Sequence, residues 1–399
     1  MFARLPSLRL PGLPRVFARF AALAGLALMA ACDVAAPGAG GDGGPRIDPA
    51  QPIRVALLVP GGSGQDDADF IAASLENAAR MAIADLQGAQ IDLRVYNTGR
   101  SANQAAAMTQ TAIADGAAII LGPLDAQSAA AAGLAALPSQ TNVLAFSNNT
   151  AIAGGNVFVL GRTFDNIADR LVDYTSAQGI DRYLILHQDD LAGQTGRDAV
   201  ASAVRQNGGT LLGVEAYPFS QDGIFSRAPA IAQAVQSSGA EAVFVTDSVA
   251  GGLPILATAL TDRGLDPAAS PLAGLTRWDS APQALSLPGL QNGYFALPDT
   301  DLNAAFERRY EATYGTRPHP LAGLAYDGIA AIGALVAAGD TDALTRARLT
   351  QGSGFQGTGG PFRLLSDGTN QRALAVARVQ NNQVVIVDPA PRSFGGAGF

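Results

Sequence analysis

From Ile53 onward the chain alternates short continuous apolar runs with longer stretches whose apolar residues recur every three or four positions. Ile53 to Val59 is apolar apart from one Arg, the pattern of a strand covered on both faces, and Pro60 to Gly64 interrupt it. The next segment carries Ile71, Leu75, Ala78, Ala79, Ala82, Ile83 and Leu86 on one helical face. Strands at 91–96, 117–121 and 142–146 follow, separated by helices at 103–114 and 126–136. A second series begins with a strand at 157–160. Its helices at 166–178, 196–206, 228–238 and 253–262 are interleaved with strands at 182–187, 210–217, 241–246 and 271–276. This alternation predicts parallel sheets built from right-handed crossovers. After a strand at 294–296 come helices at 302–314, 321–338 and 341–349. The last stretch differs: 362–365, 373–379 and 384–387 alternate with period two, as antiparallel strands do, with turns at Ser366-Asp367-Gly368 and Asn381-Asn382.

The first 52 residues follow neither pattern. Arg4, Arg9, Arg15 and Arg19, with no acid among them, precede a 12-residue apolar run from Phe20 to Ala31, as in a secretory signal. That run is too short to span a bilayer, which needs about 20 residues. Leu28-Met29-Ala30-Ala31-Cys32 resembles a bacterial lipobox, with Met29 where Leu is usual. The resemblance implies that residues 1–31 are removed and that Cys32, lipidated, becomes the first residue of the mature protein. Residues 32–52, rich in Gly, Pro, Ala and Asp, then read as a flexible tether reaching roughly 20–30 Å. Asp33 resembles a signal for inner-membrane retention in enteric bacteria, and the choice between inner and outer membrane stays open.

Composition narrows the chemistry. The 399 residues are 48% hydrophobic and 15% charged, enough apolar surface for a folded core, and the length exceeds what one core usually serves. All 26 basic residues are Arg, which excludes Schiff-base lysines and a lysine-bearing phosphate loop. The single Cys excludes an internal disulfide framework and a cysteine-rich metal site. The net charge of −8 becomes −12 once four Arg leave with the signal, so nucleic acid is not an expected partner.

Two histidines are present. His187 precedes Gln188, Asp189 and Asp190, a sequence that reads as a metal or acid–base cluster or, more simply, as caps and turns. His319 lies between Pro318 and Pro320, as a turn residue would. No Gly-x-Ser-x-Gly elbow occurs. The expectation is therefore a non-enzymatic protein with no catalytic residue, no metal and no cofactor. Gly61-Gly62-Ser63-Gly64 lacks the third glycine of a dinucleotide fingerprint and runs into Asp66-Asp67, leaving a structural turn or a contact to an anionic group as alternatives. Polar residues follow other strand ends at 122–128, 147–150, 187–190 and 247–248, where they line a cleft or cap the helices they introduce.

Several segments carry a family resemblance in order: Val55-Ala56-Leu57-Leu58-Val59-Pro60, Asn77-Ala78-Ala79, Ile120-Leu121-Gly122-Pro123-Leu124, Val143-Leu144-Ala145-Phe146-Ser147-Asn148, Tyr294-Phe295-Ala296-Leu297-Pro298-Asp299, Phe306-Glu307-Arg308-Arg309-Tyr310, Leu324-Ala325-Tyr326-Asp327 and Gly354-Phe355-Gln356-Gly357. With them the chain resembles the type I periplasmic binding proteins of the leucine-binding superfamily, and within it the lipoproteins called penicillin-binding protein activators. The resemblance implies an α/β fold of two Rossmann-like lobes, with parallel sheets flanked by helices, joined by three hinge crossings near Leu160 to Thr163, Ala296 to Pro298 and Gln351 to Gly357. Lobe 1 would comprise 53–162 plus 297–350, lobe 2 163–296 plus 351–390, and 391–399 a tail.

By the same resemblance, Ser128, Asn148 and Thr150 hold a ligand carboxylate and Asp247 its ammonium. Leu191-Ala192 and Asn148-Asn149 depart from the amino-acid-binding pattern. The expected function is that of a penicillin-binding protein activator, lipid-anchored in the periplasm, which raises peptidoglycan synthesis by contact with a bifunctional penicillin-binding protein. The helical-repeat domain of the well-known activators is missing from this sequence. The alternative is the substrate-binding lipoprotein of an ABC transporter for amino acids or a similar small polar solute.

Overall fold

The computed structural model describes residues 44–394. The signal segment, Cys32, most of the tether and residues 395–399 of the tail lie outside the described residues.

The first sheet has five strands: β1 Ile53–Val59, β2 Ile91–Asn97, β3 Ile119–Leu121, β4 Val143–Ala145 and β5 Val157–Val159. All pairings are parallel, in the order β2-β1-β3-β4-β5. Its apolar runs are continuous because both faces are covered. Val55, Leu57 and Val59 pack with Leu75, Ala78, Ile329 and Ile332 on one side, while Ala56 and Leu58 pack with Ala112, Ala129 and Ala132 on the other. The helices are α1 Asp66–Asp85, α2 Ala102–Ala114 and α3 Ala126–Ala136, with α8 Thr300–Tyr314 and α9 Ala322–Ala337 returning later in the chain.

The second sheet has seven strands, in the order β15-β14-β10-β9-β8-β6-β7. Five of them, β6 Arg182–Gln188, β7 Thr210–Tyr217, β8 Ala242–Val245, β9 Leu272–Gly274 and β10 Tyr294–Leu297, are parallel. The antiparallel β14 Ala375–Gln380 and β15 Gln383–Asp388 close one edge, where period-two alternation predicts them. Helices α4 Phe164–Ala177 and α5 Leu191–Gln206 supply Leu171, Val172, Val200 and Val204 to one face. On the other face α6 Gln221–Ser238 and α7 Leu253–Thr261 supply Ile231, Val235, Leu256 and Leu260. Among the described residues no helix is long and apolar enough to cross a membrane.

Two expected boundaries need correction. Three short antiparallel strands, β11 Phe355–Gly357, β12 Gly360–Leu364 and β13 Asn370–Arg372, form a separate sheet. Phe355 and Phe362 lie with ring centroids 5.6 Å apart, and with Leu364 they join the core of the first sheet, so residues 355–364 do not belong with lobe 2. The chain changes core after β13, and the third crossing lies at 372–374 rather than at 351–357. The tether is also shorter than expected. Ile47 is buried in the first core, its N–H donates to Thr341 O at 2.9 Å, and Arg46 donates to Thr341 Oγ1 at 3.3 Å.

Helix α4 opens with a reciprocal cap between Thr163 and Asn166, at 3.1 and 3.3 Å. Asp165, Asp169 and Asp173 follow at helical spacing along it. Burial, reinforced by Asp165 and Asp173, pushes the Asp169 carboxyl up to about 6. Raised above its unfolded value, this group binds a proton more tightly in the folded chain, so its contribution to stability is full below pH 4 and is lost as pH rises through about 6. Asp169→Asn should therefore raise the melting temperature by roughly 2–4 °C at pH 7.5, about 1 kcal/mol after discounting for solvent screening. Near pH 4 it should change nothing; thermal melts at the two pH values check this.

Candidate functional site

A strand that runs directly out of its sheet into a crossing places its carboxyl end at the junction. β5 leaves the first sheet through residues 160–163, and β10 leaves the second through residues 298–299. Their parallel neighbours share that direction, so the carboxyl edges of both sheets meet across one junction, the usual place for ligands in open α/β sheets. Asn370 and Arg372 join the first and third crossings. Asn370 Nδ2 donates to Val159 O and Gly161 O at 2.7 and 2.9 Å, Asn370 O accepts from Asn166 Nδ2 at 2.8 Å, and Arg372 Nε donates to Leu160 O at 2.8 Å.

The four expected ligand residues separate into two pairs. Asn148 is exposed at the carboxyl end of β4, and Thr150 opens a short 3₁₀ turn, Thr150–Ile152, just beyond it. Ser128 lies in the first turn of α3 at 1% exposure, with its Oγ buried and without a hydrogen-bond partner among the described residues. Asp247, at 2% exposure, serves its own loop. Its Oδ1 accepts from Ser248 N at 2.7 Å and Gly252 N at 3.0 Å, and its Oδ2 accepts from Tyr217 Oη at 3.3 Å. A Cβ on Gly251 or Gly252 would stand 2.5 or 2.6 Å from the carboxylate oxygens, so the two glycines let the loop pack directly against the acid. Burial holds this carboxyl above its usual range, against the bonds from Ser248 and Gly252.

The other candidates resolve as local structure. Gly62 has φ of 81°, and its N–H donates to Asp69 Oδ1 at 2.9 Å, so the glycine loop is a turn held by its own helix. Asp190 caps α5 by accepting from Gly193 N at 2.7 Å, and His187 Nδ1 lies 2.7 Å from Gln188 O. Among the described residues no group of three or more His, Cys, Asp or Glu side chains is arranged to hold a metal. His319 turns the chain before α9, with Nδ1 accepting from Leu321 N at 3.2 Å and its ring edge-on to Phe70. Burial lowers its affinity for a proton.

Sequence reasoning missed a cluster of guanidinium groups. A cavity of about 140 Å³ lies where the crossings meet, lined by Arg162, Pro298, Phe306, His319, Thr358 and Arg372 among others. Arg372 Nη1 pairs with Asp327 Oδ2 at 2.8 Å, both side chains are buried, and Thr358 N donates to Asp327 Oδ1 at 2.7 Å. Arg277, just past β9, makes a two-point contact with Asp279 at 2.9 and 2.5 Å. Arg162 makes no hydrogen bond or ion pair with any described residue. Burial, with Arg372 and Arg277 beside it, pushes its guanidinium down to about 10, still a cation at neutral pH. The only sequence signal was its place: a lone Arg between the apolar run of β5 and the Thr163 cap.

Several solved structures share the fold of this chain at low identity. One is described as a putative branched-chain amino acid ABC transporter from Rhodospirillum rubrum, with a TM-score of 0.71, 16% identity, and 84% of this chain and 100% of that one covered. Another is an ABC transporter substrate-binding protein from Desulfitobacterium hafniense in complex with Leu, with a TM-score of 0.62, 18% identity and coverage of 84% and 100%. A third is a solute-binding protein of an ABC transporter from R. palustris in complex with benzoate, with a TM-score of 0.57, 19% identity and coverage of 88% and 99%. No curated protein sequence matches the chain. Residues 52–383, nearly the whole described body, match the family described as periplasmic binding protein, and the chain belongs to that family.

Proposed function

We propose that the protein is a periplasmic, non-enzymatic solute receptor that takes up a small polar molecule between its lobes and presents it to an ABC permease. The observation that carries this reading is the junction: the parallel strands of two sheets, one wholly parallel and one mixed, turn their carboxyl ends toward it, so a solute touching both edges favours closure. Relatives in complex with Leu and with benzoate, both described as transport proteins, support it and favour the receptor over the penicillin-binding protein activator. Asn148 and Thr150, which lie outside the lining of the 140 Å³ cavity, are the proposed contacts on the first edge in the closed form. Lipid attachment at Cys32 belongs to the proposal as the anchor that keeps the receptor at the membrane.

Thermal-shift and native mass spectrometry screens of the purified chain against amino acids, organic acids, amines and sugars test the reading. A solute at about 100 times its Kd should stabilise the fold by about 2.7 kcal/mol. The absence of any saturable shift across all four classes would overturn it.

A further inference from the structure

The junction offers a ligand one group that the protein itself leaves unanswered, and it is a cation. Asp327 pairs with Arg372, Asp279 pairs with Arg277, and Glu307 accepts from Asn303 Nδ2 at 2.6 Å. Arg317, largely exposed, lies 3.8 Å from Glu311. Only Arg162 among these charged groups makes no hydrogen bond or ion pair with a described residue, Asp327 and Asp279 attracting it only at longer range, although it stands in the cavity wall beside Arg372. Arg372 repeats the theme, since its Nη2 is buried without an acceptor. A guanidinium keeps its charge and presents a planar pair of donors suited to a carboxylate, so partial burial without an anion is unfavourable until one arrives. Asp247, the acid that the family resemblance assigns to a ligand ammonium, is buried and accepts from Ser248 N and Gly252 N of its own loop.

We infer that the solute is a small carboxylic acid whose carboxylate docks on Arg162 in the first crossing, and that an ammonium group contributes little to its recognition. This rests on the receptor reading. A cavity of about 140 Å³ admits a molecule of roughly ten non-hydrogen atoms. Pro298, Phe306, Leu321 and Leu324 in its wall suit an apolar body behind the carboxylate.

Isothermal titration of the full chain with leucine, 4-methylpentanoate, leucinamide, benzoate and benzamide separates the groups. At least one carboxylate is expected to bind, its amide to bind at least ~30-fold more weakly, and Arg162→Gln to lose at least ~30-fold in affinity for the acid. Arg162→Lys should retain part of that affinity, because it keeps the charge without the two-point geometry. Without solute, Arg162→Gln should melt no lower than the parent, since it removes an unpaired charge; a large loss of stability would make Arg162 a structural residue and overturn the inference. Amides binding as tightly as acids, or Arg162→Gln leaving affinity unchanged, would overturn the inference and leave the receptor reading standing. Failure of every solute class in the wider screen overturns the receptor reading and this inference with it.

Discussion

Replacing Asp327 by alanine is expected to destabilise the protein by about 3–5 kcal/mol, because it strands a buried guanidinium. Asp327 is 1% exposed, and the Arg372 side chain is 8% exposed. The pair sits where α9, the third sheet and the first crossing meet, since Arg372 also donates to Leu160 O and stacks 4.8 Å over the Phe362 ring. The loss would therefore spread: Thr358 N loses its acceptor as well. The double variant Asp327→Leu/Arg372→Met should recover most of the stability, since apolar residues of similar volume often replace a buried ion pair at little cost. Urea unfolding of the parent and the two variants measures both effects, and a loss of under about 1 kcal/mol in Asp327→Ala would contradict the buried pair.

The next largest effect belongs to Asp247. Alanine there leaves two backbone N–H groups, of Ser248 and Gly252, and the buried hydroxyl of Tyr217 without their acceptor, at a cost of about 2–4 kcal/mol. The consequence is a test of role. If Asp247 holds its loop, Asp247→Ala melts at a lower temperature, while solute affinity of the folded protein falls less than about tenfold. A variant as stable as the parent that no longer binds solute would instead make Asp247 a ligand contact.

The layered fold was legible because its signal is local. Val55 to Leu58 are all apolar, and only a strand buried on two faces explains such a run, so the parallel sheets could be read strand by strand. The antiparallel edge was legible from the alternation at 373–387. What escaped was long-range. Phe355 and Phe362 read equally well beside either core, and only their stacking against the first decides which one they join. Ser128 and Asp247 were placed near a ligand by the family resemblance, yet both are buried, Asp247 with Gly251 and Gly252 packed against it; depth within a loop leaves no mark on composition. Arg162 escaped for the opposite reason: an arginine is singled out by lacking a partner, and pairing with residues such as Asp327 spans more than 150 positions of sequence.

As a receptor, the protein is expected to close the lobes built on its two sheets around a solute. Pairs of spin labels at Asn103→Cys and Ala192→Cys report on it directly. Both positions are exposed, near the amino-terminal ends of α2 and α5 that follow the carboxyl edges of the two sheets. With the best-bound solute from the screen, the distance between the labels is predicted to shorten, and to return to its starting value when solute is removed by dialysis. An unchanged distance at saturating solute would contradict closure and with it the receptor.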